Sequence, residues 1–118
     1  MQSFSNSTDR LMSITLALGQ YPILASRMRS QMRHELVNRN IIDKREFEAR
    51  VRKQAIQSQE REGLMNPVGE EPAEIWEERH ARVRDQLTDL IFSQHLPFDL
   101  FQTIVTDVLN ERGIENSN

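Results

Sequence analysis

The chain has no cysteine, and its 118 residues include only four glycines, four prolines, one tryptophan and one tyrosine. Without thiols, disulfides, thiolate metal centres and cysteine nucleophiles are excluded. Few glycines leave few sharp turns on which to hang a phosphate loop or a nucleophile elbow, and neither motif occurs. Long apolar runs are missing too. The most apolar stretch, Ile14 to Ala25, is interrupted by Gly19, Gln20 and Pro22, and falls short of the ~20 residues that span a bilayer. The start of the chain has no basic segment of the kind that opens a secretory signal. These absences together predict a cytoplasmic protein with no membrane partner.

What is present is helical. Apolar residues make up 37% and charged residues 28%, with a mean hydropathy of -0.63, enough to fold one solvated helical domain. No segment alternates with the period of two that a strand requires, so no sheet is expected. The spacing predicts an all-α single-domain bundle of about five helices over 8–113. Residues 1–7 and 114–118 are expected to be disordered.

The first helix, capped by Ser7 or Thr8, runs to about Leu18. Leu11, Ile14 and Leu18 share one face while Met12 and Leu16 point elsewhere. The second helix, about 22–38, begins near Pro22 and carries Leu24, Met28, Met32 and Leu36 on one stripe. Asp43 and Glu46 form a capping box, with Ile42 and Phe47 at the staple positions. They open a third helix over about 43–62, with Phe47, Val51 and Ala55 inward and Gly63 as its stop. The second and third helices are expected to form an antiparallel hairpin. Leu64 to Glu71 reads as the main loop, and Pro72 opens a fourth helix with Trp76, His80, Val83, Leu87, Leu90 and Ile91 on one face. Leu96-Pro97 breaks it. Asp99 and Gln102 suggest a second capping box, and Phe98, Phe101, Val105, Val108 and Leu109 face inward on a fifth helix stopped at Gly113.

The stretch from Glu35 to Val51 resembles a helix–turn–capped-helix pattern common in small bacterial helical modules. That resemblance covers seventeen residues and implies a helical hairpin with no functional residues.

Charge is segregated. Arg27 to Lys53 has a local balance of +5, and Gln54 to Asn118 one of −8. One reading is internal, with basic and acidic helices facing each other. The other is a nucleic-acid or acidic-partner contact through Arg27, Arg29, Arg33, Arg50 and Lys53. Arg27 and Arg29 do not share a stripe, however, and no aromatic residue lies among them to stack on bases.

Catalytic and metal candidates are few. Glu77 and His80 make the E-x-x-H half-motif of di-iron bundles, but neither His34 nor His95 can supply its second half. His80 is expected to bond a neighbouring carboxylate, and His95 to complement a helix C-terminus. Trp76 reads as core. No cofactor, metal or catalytic set is expected. The leading expectation is a non-catalytic protein–protein interaction or regulatory module, with a protein partner or a homodimer. Phe92, Phe98 and Phe101 would be its anchors at the junction of helices four and five, unless the helix bearing Ile91 and Phe92 is covered on all sides. The two-sided first helix adds a second apolar surplus. Alternatives are a nucleic-acid-associated regulator and a helical accessory domain or subunit of a larger enzyme.

Overall fold

The computed structural model describes residues 6–65 and 71–116, and all regular structure among them is helical. The helices are α1 (Ser7–Gly19), α2 (Ala25–Asn38), α3 (Lys44–Met65), α4 (Ala73–His95) and α5 (Phe98–Asn116). The all-α, five-helix expectation therefore holds. The chain gathers into two compact units, where its length suggested one: Met1–Ile41 with Thr88–Asn118, and Ile42–Leu87.

In the first unit α2 packs on α1 and on α5. Met28, Met32 and Leu36 are fully buried along the expected α2 stripe, and Ile14 and Leu18 supply the inner face of α1. In the second unit the buried residues include Phe47, Val51 and Ala55 on α3, with Val83 and Leu87 on α4.

Helix starts follow side-chain chemistry. The Asp43 carboxylate accepts from the Glu46 backbone N–H at 3.0 Å, the bond a cap needs to satisfy an orphan donor. Asp43→Ala should cost about 0.5–2 kcal/mol in urea unfolding, and an unchanged midpoint would count against the cap. At α1 the cap is Asn6, whose Oδ1 accepts from the Asp9 N–H at 2.8 Å. Ser7 and Thr8 lie inside the helix, so 6 and 7 leave the expected disordered segment; 1–5 lie outside the described residues. Pro22 sits in a turn before α2 and does not open it. Asp99 lies in the first turn of α5, where it complements the dipole instead of capping.

Helix ends depart further from expectation. Neither Gly63 nor Gly113 stops its helix: α3 continues to Met65 and α5 to Asn116. Residues 114–116 are thus helical, while 117–118 lie outside the described residues, as do 66–70 of the expected main loop. The Schellman stop expected at Gly113 occurs at the end of α2. Asn40 takes φ 58°, its N–H bonds to Val37 O at 3.0 Å, and the Ile41 N–H reaches Leu36 O at 2.9 Å. Asparagine tolerates this left-handed conformation better than most residues. The two helices of the expected hairpin are therefore present, one in each unit.

Candidate functional site

The three phenylalanines are brought together, but mostly inside the protein. Phe92 and Phe101 are buried and Phe98 is half-buried. Phe92 meets Phe101 edge-on, with centroids 6.3 Å apart, and Phe98 lies 5.5 Å from Phe101. Phe92 and Phe101 are therefore core residues, which corrects their reading as surface anchors. The reason is that α4 is covered nearly all round at this level: Leu87, Thr88, Asp89, Ile91, Phe92 and Ser93 are all buried. Ile91 and Phe92 can both be inside because only the narrow strip through Gln86, Leu90 and Gln94 faces water.

Burying Thr88, Asp89 and Ser93 requires partners for them. Ser93 Oγ donates to Leu90 O at 2.7 Å. Asp89 is gripped by Arg29, whose Nε and Nη2 donate to its two oxygens at 3.0 and 2.7 Å. Arg33 Nη1 donates to Thr88 Oγ1 at 3.3 Å, and Arg27 pairs with Glu111 at 2.7 Å. The α2 arginines thus bond the acidic side of their own unit and do not line up as a free basic face. For α2 the internal reading of the charge segregation is the one the structure supports. Arg50 and Lys53 lie exposed on α3 in the other unit.

The second apolar surplus that the sequence suggests, on the first helix, is exposed, unlike Phe92 and Phe101 of the expected Phe92, Phe98 and Phe101 patch. Met12 is 59% and Leu16 68% exposed, one turn apart on one face. Thr8, Thr15 and Gly19 complete that face, and Asp9 is its single charged residue. Thr15 Oγ1 donates to Leu11 O at 2.9 Å, so its hydroxyl is already used. In the following turn Ile23 is 88% exposed. The two-sided pattern of the first helix was the legible signal for this face.

In the second unit the residue that sequence reasoning missed is Arg79, only 3% exposed. Its Nη2 donates to Glu62 Oε2 at 2.6 Å and to Glu71 Oε1, and its Nη1 to Ser58 Oγ at 2.8 Å. Gln59 Nε2 also donates to Glu71, at 2.9 Å. The hydrogen bond from Arg79, helped by the charges of Arg79 and Arg82 and opposed by desolvation, holds the Glu62 carboxyl below its ordinary range. The same two carboxylates raise Arg79 further above its already high value. No local pattern announces this cluster, because Glu62 and Glu71 precede Arg79 by seventeen and eight residues.

Among the described residues His80 does not bond a carboxylate as expected. Arg84 Nη2 lies 3.0 Å from its Nδ1; a guanidinium can only donate, so the ring nitrogen accepts. Trp76, half-buried, lies 6.1 Å from the His80 ring. His34 and His95 are exposed. Among the described residues no group of three His, Cys, Asp or Glu could hold a metal ion, and no helix is long and apolar enough to cross a membrane. No family model, curated protein or solved structure matches the chain.

Proposed function

We propose that the protein is a non-catalytic helical interaction module that works as a homodimer, docking through the outer face of α1. The observation that carries this reading is the exposure of Met12 and Leu16 on a face whose only charge is Asp9. Isolated surface leucines are ordinary, but adjacent exposed apolar side chains on an otherwise uncharged helix face mark an interaction surface.

A second copy suits this face. In an isologous contact each patch meets itself, so a charged patch would meet like charge. Here an antiparallel meeting of two α1 helices places the two Asp9 carboxylates at opposite ends. Thr15 and Gly19 are small enough for the helices to approach at the ~8–10 Å of ordinary helix packing.

Leu16→Glu would bury two like charges in such an interface. Light scattering over a concentration series should show a dimer for the parent chain, weakened ~100-fold or more in the variant. The helical circular dichroism should be unchanged, since Leu16 is outside the core. A parent chain that stays monomeric throughout the series overturns the reading.

A further inference from the structure

In the second unit, α3 and α4 border a cleft of about 490 Å³, within the ~300–1,000 Å³ usual for ligand sites. Its lining is polar. Gln54, Gln57 and Arg61 come from α3, spaced so that they fall on one flank of that helix. Arg82 and Gln86, one turn apart, come from α4, and Val83 is its apolar wall. Among the described residues Glu62 is the single carboxylate in the lining, and Arg79 already engages it. Ser58 is likewise taken, accepting from Arg79.

Among the described residues, Gln54, Gln57, Gln86 and Arg61 make no side-chain hydrogen bond or ion pair, and Arg82 reaches Glu62 only as a charge acting at a distance. Two guanidinium groups and three amides thus converge on one hollow whose carboxylate is already occupied. Guanidinium forks match the paired oxygens of phosphate and carboxylate groups, and amide N–H groups add neutral donors to the same oxygens. A lining this polar does not suit an apolar ligand.

We infer that this cleft binds a small multivalent oxyanion, a phosphate-bearing or polycarboxylate ligand, between Arg61 and Arg82. This site is independent of the α1 face, which belongs to the other unit. No aromatic side chain lines the cleft, so the ligand is held by its anionic groups and not by stacking of a base.

The test is a titration of the full chain with inorganic pyrophosphate, and separately with citrate, at low salt, followed by amide and side-chain NMR shifts. Saturable shifts centred on Gln54, Gln57, Arg61, Arg82 and Gln86 are expected with at least one probe, and the tighter one tells phosphate from carboxylate chemistry. The double variant Arg61→Gln/Arg82→Gln should lose about tenfold or more in affinity. Arg45→Gln, an exposed arginine on another flank of α3, should lose nothing. Both variants alter exposed side chains, and unchanged circular dichroism checks that each still folds. An absence of saturable shifts with both probes, or an equal loss in Arg45→Gln, overturns the assignment.

Discussion

Arg79→Ala is expected to lower the stability of the chain by about 3–5 kcal/mol in urea or thermal unfolding, the range for breaking a buried ion pair by removing one partner. Most of that cost falls on Glu71, whose side chain is 13% exposed and which, among the described residues, would keep only Gln59 as a donor. Glu62 is 59% exposed and can be resolvated by water. The asymmetry gives a second measurement. Changing Glu71 to Gln in the Arg79→Ala background removes the stranded charge and should recover part of the loss, whereas Glu62→Gln should recover little. A cost below about 1 kcal/mol for Arg79→Ala, the scale of an exposed pair, would show that the cluster is solvated. The same bond ties stability to acid. Because the folded-state pKa of Glu62 is lowered, its contribution is complete above the ordinary glutamate range and is lost as pH falls through the lowered value. Most of that acid dependence should be lost in Arg79→Ala, with only the weaker influence of the Arg82 charge left.

Phe92→Ala is the second large effect, again about 3–5 kcal/mol, the usual cost of emptying a fully buried aromatic site. Phe92 is completely enclosed and meets Phe101 edge-on, so a cycle with Phe92→Leu and Phe101→Leu should reveal a coupling of about 0.5–1.5 kcal/mol. This outcome separates core from interface. Truncating a surface anchor would leave unfolding unchanged and alter only association. Phe92→Ala should do the reverse, acting on self-association only through the loss of folded protein.

The contrast between these two residues shows what a sequence makes legible. Capping is local chemistry, so Asp43 and Glu46 could be read as a helix start, and the Met28–Met32–Leu36 stripe as a buried face. Helix ends were less legible, because a glycine marks a stop only if its backbone turns left-handed. At Gly63 it does not, and at Asn40 a different residue does. Phe92 was misplaced for a related reason. Periodicity tells which residues share a face, but not how many faces are covered. The α1 face was visible because Met12 and Leu16 stand apart from Ile14 and Leu18 on a short helix. Arg79 was invisible, since its partners are gathered from α3 and from the residue before Pro72. The cleft between Arg61 and Arg82 was equally hidden, being defined by which arginines are left over once Arg79 has taken its carboxylates.

The division of the chain also bears on how it is made. The second unit is one continuous stretch, Ile42–Leu87, whereas the first joins Met1–Ile41 to Thr88–Asn118. During synthesis, at ~5–20 residues per second, α1 and α2 leave the ribosome well before α5, which covers α2, has been made. Met28, Met32 and Leu36 can meet α1 early, but the side of α2 that α5 covers stays open until Ile42–Leu87 has been made.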